Sequence, residues 1–320
     1  MPESVVPVPL VLCFLTLSVV GIIGNLTIVL VTIINKTLHS RCCILIGIMA
    51  FFNIIVGIYV TQLRIMMLFG IYNILNTTCF LYSFYGIFAM NMQSILGLFI
   101  GLDRLYNVSS PIKYEIFSDS NQSICYYFCV LYNYFFVSYF FKICFSGRYS
   151  TISDITYSRS FSEEIVIVVC IPVTALYETS LQIWLCFNFV IAVSVIIVYG
   201  WTHIMCRNLR NNNLHIKTVE SVNRILKSLI VVIAFYVSTW FLAMAALFIA
   251  EVLNLEGEPV YYIRRWSGWL VICNSSLHVF IYFWRTPDYR KAIIQLYRLP
   301  IRSEANSKVS VIPNNQVVLI

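Results

Sequence analysis

Between Phe80 and Leu102 no residue carries a charge, and the run ends in Asp103-Arg104. A helix needs roughly 20 apolar residues to cross the hydrocarbon core of a bilayer. The stretch is therefore read as a membrane span, and the rest of the chain must be compatible with it. An ionised Asp beside an Arg is tolerated at the end of a span only at the water boundary, where both can be solvated or paired. The same stretch opens at Cys79, 24 residues before Asp103, and continues after Arg104 through Val108, Pro111 and Tyr114.

Composition agrees with that reading. The chain is 60% hydrophobic and 11% charged, with a mean hydropathy of +0.83, whereas a soluble domain carries about 25% charged residues. A net charge of +7 would suit nucleic acid, but the Lys and Arg residues fall in short segments between apolar runs. That is the distribution of a membrane protein, and nucleic acid is excluded as a partner. Cys13, Cys125, Cys129, Cys186 and Cys273 lie inside apolar runs, where cysteine packs as a small hydrophobe, so the eleven cysteines do not form a disulfide framework.

Taken in order, the apolar runs predict seven spans at about 10–34, 42–63, 79–102, 122–145, 179–205, 224–253 and 265–284. The fold class is an all-α membrane protein, a seven-transmembrane helix bundle over 7–299. An exposed N-terminus (1–6) precedes it and a disordered tail (300–320) follows. The first run is longer than a cleaved signal needs and lacks a basic leader, so it is read as a signal anchor. Thr286-Pro287-Asp288 reads as a helix start. Tyr289, Ile293, Leu296 and Tyr297 then share one face opposite Arg290, Lys291 and Arg298, which predicts a short amphipathic helix at 287–299 lying along the inner leaflet.

Between the fourth and fifth runs, the β-branched stretch Ile165–Pro172 is too short to span and reads as a strand, predicting a β-hairpin lid in the second outer loop. Cys170 within it is expected to pair with Cys79 on the same oxidising face, with Cys144 as the rival partner. Arg64, at the end of the second run, is read as snorkelling to the outer interface.

Orientation follows from counting. With the N-terminus outside, fifteen of the 21 basic residues fall on the inner loops and tail and six on the outer face, which favours N-out, C-in at the plasma membrane. Most acids, among them Glu163, Glu164, Glu251, Glu256 and Glu258, fall outside.

The pattern Asp103-Arg104-(x)3-Val108-(x)2-Pro111-(x)2-Tyr114 with the upstream Cys79 resembles the third helix of rhodopsin-like (class A) G-protein-coupled receptors. Gly24-Asn25-(x)2-Ile28, Tyr236-(x)3-Trp240 and Asn274-Ser275-(x)6-Tyr282 resemble the motifs of their first, sixth and seventh helices. There are departures. Leu242 stands where the sixth-helix proline is expected, which predicts a weaker kink. His278 and Val279 replace the usual Asn/Asp and Pro, the fourth span has no Trp, and Asn53 stands where relatives have the Asp that helps hold sodium. No metal or cofactor is therefore expected. More narrowly, Tyr85-Gly86-(x)2-Ala89-(x)1-Asn91-(x)1-Gln93-Ser94 through Asp103-Arg104, with Cys170-(x)1-Pro172, is similar to nematode serpentine chemoreceptors of the Srsx type.

The resemblance implies a chemosensory receptor that transmits an outside ligand to a heterotrimeric G-protein by helix rearrangement. Asp103, Arg104, Tyr199 and Tyr282 act in coupling, and Asn25, Asn53, Asn274 and His278 form the polar core. The remaining partners are a small-molecule or peptide ligand, membrane lipids, and arrestin acting on tail serines such as Ser303, Ser307 and Ser310. Gly97 and Gly101 are read as close-packing positions. Gly86, Met90, Asn91 and Trp240 are the pocket candidates by helical spacing. Gly86 stands where amine receptors carry an Asp, which removes the amine counter-ion, and no Lys occurs from Trp266 to Trp284 to hold retinal. No nucleotide loop, zinc-protease motif or nucleophile elbow is present, so an enzyme is not expected. The alternatives are a neuropeptide receptor of the same class, favoured by the acidic outer loops, and a seven-helix ligand-gated channel, which would place the N-terminus inside.

Overall fold

In hydrocarbon a backbone must satisfy its own hydrogen bonds, and a helix does so within one segment. The computed structural model of the protein describes residues 7–71, 74–109, 166–167, 170–176, 178–211, 230–255 and 257–298, and they are overwhelmingly helical. The helices are α1 (Val8–Ile34), α2 (Arg41–Leu68), α3 (Asn76–Ser109), α4 (Glu178–Asn211), α5 (230–252), α6 (Glu258–Arg285) and α7 (Pro287–Arg298). Two short strands, β1 (Ile74–Leu75) and β2 (Val166–Ile167), pair antiparallel with Ile74 opposite Ile167. The fourth expected span at 122–145, the N-terminus 1–6 and the tail 300–320 lie outside the described residues.

Five of the helices, α1 to α5, are long and apolar enough to cross a membrane. α6 has the length, but Asn274, Ser275, Ser276 and His278 dilute its apolar run. The buried residues explain this dilution, because Asn274, Ser275 and Ser276 all face inward. Exposed Ile23, Ile33, Val190, Ile197 and Ile204 lie on the outside of the same bundle that buries Asn25, Asn53, Asn91 and Asn188. Apolar outside and polar inside is the arrangement expected when the solvent is lipid.

Neighbouring contacts run α1 to α2, α2 to α3, α3 to α4, α4 to α5, α5 to α6 and α6 back to α1, a ring of helices. Glycines set two of the closest approaches. A Cβ on Gly24 would lie 2.5 Å from Cγ1 of Val279, and one on Gly21 would meet the Ser276 side chain, so α1 and α6 pack nearly backbone to backbone there.

The helices extend beyond the apolar runs wherever charged ends continue the turn. α6 begins at Glu258 and not near Arg265, because Pro259 at its start is compatible with a first turn and Arg264 and Arg265 are helical. α5 holds a π-helical turn at Val237–Phe241, around Trp240. Such turns distort helices as prolines do. The irregularity that Leu242 was expected to remove is thus supplied by the backbone.

β2 falls within the expected strand, but its partner is β1, just ahead of α3. The second strand of a hairpin within the loop would fall among residues 110–165, outside the described residues. α7 docks on α1 and α2: the Tyr289 hydroxyl donates to the Cys43 carbonyl at 3.0 Å and lies 3.1 Å from Thr32 Oγ1. Tyr289 and Ile293 are buried, whereas the Tyr297 ring is exposed and only its hydroxyl reaches Thr27, at 3.0 Å.

Candidate functional site

One end of the bundle is fixed by a disulfide between Cys79, in the first turns of α3, and Cys170. It ties the segment after β2, including the one-turn helix Pro172–Ala175, onto α3. Cys144, the rival partner, lies outside the described residues.

At the opposite end, α3 carries Asp103 and Arg104, both half-buried. The Arg104 guanidinium is within electrostatic reach of Cys42 of α2, Tyr199 and Asp103. Tyr199 of α4 is buried because Gly101 makes room for it: a Cβ there would lie 2.6 Å from the ring. Tyr282 of α6, also buried, completes the group within reach of Arg104, Tyr199 and Tyr289. Four residues from three helices, far apart in sequence, thus meet at one end.

The polar core holds two sets of hydrogen bonds. Asn25 Nδ2 donates to the Gly21 carbonyl at 2.8 Å and to the Ser275 carbonyl at 2.9 Å, and Asn53 Nδ2 donates to Asn25 Oδ1 at 3.2 Å. α1, α2 and α6 are joined at this point. Across the bundle, Thr239 Oγ1 donates to Asn274 Oδ1 at 3.1 Å, linking the π-helical turn of α5 to α6. His278 stacks on Tyr282 with ring centroids 6.0 Å apart.

Below Trp240 lies a cavity of about 40 Å³, lined by Gln93, Gly97, Tyr199, Tyr236, His278 and Tyr282 among others. The Gln93 amide, Tyr236 hydroxyl, Trp240 Nε1 and His278 Nδ1 turn buried polar atoms into this region without a protein partner. A cavity of that size and polarity has room for water. Gly97, expected to pack closely, has nothing within 4 Å of a Cβ. It leaves space for the cavity, whereas Gly101 admits a ring.

Toward the disulfide end the bundle opens into a second cavity of about 620 Å³, within the range of small-ligand sites. Met90 lines it, and Trp240 lines the smaller cavity. Gly86 and Asn91 line neither. The Tyr59 ring covers Gly86. Asn91 Oδ1 accepts from Trp184 Nε1 and from Asn188 Nδ2, each at 3.0 Å, so it clamps α3 to α4. Its partners on α4 could not be assigned from sequence, since spacing along one helix does not say what the facing helix presents.

The residues that sequence reading missed are Arg64, Arg264 and Arg265, all on the wall of the larger cavity. Arg64 is half-buried. Its guanidinium carbon sits 4.0 Å over the Phe14 ring. A signal was available in three arginines near the same ends of two facing spans.

A search among curated proteins finds no match. The profile of a family described as "Serpentine type 7TM GPCR chemoreceptor Srsx" matches residues 18–297. That range runs from inside α1 to the last turn of α7 and takes in the disulfide, the polar core, the smaller cavity, most of the larger one and the Arg104 cluster. The chain belongs to the Srsx family of serpentine chemoreceptors, which are G-protein-coupled receptors and not enzymes.

Proposed function

We propose that this chemoreceptor is a seven-span receptor with its N-terminus and disulfide end outside the plasma membrane and its Arg104 end in the cytoplasm. A diffusible chemical would be read in the larger cavity, and the signal handed to a heterotrimeric G-protein at the other end. The observation that carries this reading is the separation of roles along α3. Cys79 and Met90 belong to the disulfide end and the cavity. Asp103 and Arg104 close the opposite end against α2 and α4.

Between those ends lie the polar cavity and the π-helical turn. A ligand that binds one packing of α5 and α6 better than another shifts the population by its differential affinity. Trp240 and His278 line the space into which those helices can repack. Opening would draw Tyr199 and Tyr282 off Arg104 and expose a cleft for the G-protein. α7 would lie on the inner leaflet with Arg290 and Lys291, both exposed, toward lipid headgroups and water. β2 and Cys170 would hold the second outer loop as a lid. Arrestin would engage the phosphorylated tail.

The neuropeptide alternative rests on acids in the outer loops, whereas the described wall of the larger cavity carries arginine. An epitope tag at the N-terminus tests the orientation that separates a receptor from an odorant-gated channel. Staining of unpermeabilised cells is expected. Staining only after permeabilisation, with surface expression verified independently, contradicts the arrangement.

A further inference from the structure

The larger cavity has an unusual chemical balance. Most of its wall is apolar, with Leu63, Met67, Leu247 and Ile272 among its lining, yet three arginines line it: Arg64 from α2, and Arg264 and Arg265 from α6. Among the described residues no carboxylate lines it. Arg64 has, among the described residues, only soft partners, since its Nη1 reaches the Met67 sulfur at 3.1 Å, its face covers Phe14, and its Nε is buried with no acceptor. A thioether is a weak acceptor, and a buried cation without a counter-ion is costly. Arginine forks match planar oxyanions in two-point contacts. The apolar wall would hold a hydrocarbon body next to them.

We propose that the ligand is a small anionic amphiphile, a carboxylate on a medium-length apolar chain, with its head held by Arg64, Arg264 and Arg265. This rests on the reading of the larger cavity as the ligand site. Tyr59, whose ring covers Gly86, also lines the cavity and would floor the apolar part.

The test uses purified full-length receptor in phosphatidylcholine vesicles and a matched series of medium-chain carboxylates, the corresponding amides and the corresponding primary amines, with binding read by calorimetry. The carboxylates are expected to bind about tenfold or more tightly than the amides, the size of one charge-assisted hydrogen bond, and the amines most weakly. Arg64→Gln should erase most of that preference, and Arg64→Lys should keep part of it. Equal or better binding by amides or amines, or no binding by the carboxylates, overturns the proposal. The wild-type comparison needs no variant to fold.

Adding phosphatidylserine to the vesicles should leave carboxylate binding unchanged. Competition by that lipid would mean the arginines serve a headgroup and not a diffusing ligand, which also overturns it. A carboxylate that binds with the expected preference but leaves G-protein nucleotide exchange unchanged supports the ligand class and counts against the receptor reading.

Discussion

The ring of Tyr199 occupies the space that a side chain at position 101 would fill, with only 2.6 Å between its Cε2 and a Cβ built on Gly101. That contact fixes the register of α4 against α3, in a helix that contains no proline. It also sets the Tyr199 hydroxyl within electrostatic reach of Arg104.

Gly101→Ala is therefore expected to destabilise the receptor by about 1–3 kcal/mol, the usual cost of overpacking. Gly97→Ala, with nothing within 4 Å of its Cβ, should be neutral or stabilise by up to about 1 kcal/mol through helix propensity. Thermal unfolding of the two purified variants checks the difference in sign. In a double-mutant cycle, Tyr199→Ala should relieve the Gly101→Ala penalty, since residues in contact do not add.

The Asn25 amide bridges three helices, so Asn25→Ala removes its bonds to the Ser275 carbonyl and to Asn53 and strands both partners in the interior. A loss of roughly 1–2 kcal/mol is expected, at the upper end of values for interhelical hydrogen bonds in membranes. Denaturant titration in detergent would measure it. Thr16→Ala, which removes a hydrogen bond within one exposed turn of α1, should cost much less.

Sodium should not regulate this receptor. Asn53 brings a neutral amide to the position, and its Nδ2 donates to Asn25 Oδ1. A hard cation prefers carboxylate oxygens. Exchanging potassium for sodium at constant ionic strength is expected to leave the melting temperature and ligand affinity unchanged, and a sodium-specific shift of either would contradict this.

Much of the fold was legible because lipid imposes length and polarity on each span. Phe80–Leu102 and the charged pair after it mark a helix and its end without reference to any neighbour. Cys79 and Cys170 could be matched because both belong to the same face. The facing helix could not be read. Hydropathy says that Asn91 is buried but not that Trp184 and Asn188 are its partners, and spacing cannot tell the ring-admitting Gly101 from the cavity-lining Gly97. The packing of Arg64 was out of reach in the same way, since the Phe14 ring under its guanidinium belongs to α1 and not to its own helix. The π-helical turn at Val237–Phe241 has no composition signal, since its distortion depends on packing against α6.

The most direct test of the account is G-protein nucleotide exchange in membranes holding wild type or Arg104→Ala at matched surface levels, challenged with carboxylate amphiphiles and a wider odorant panel. Ligand-stimulated exchange in the wild type, reduced at least about tenfold in Arg104→Ala, is the predicted result, a coupling loss within the range seen between allosteric sites. A ligand-evoked ionic current that survives Arg104→Ala and needs no G-protein would contradict it.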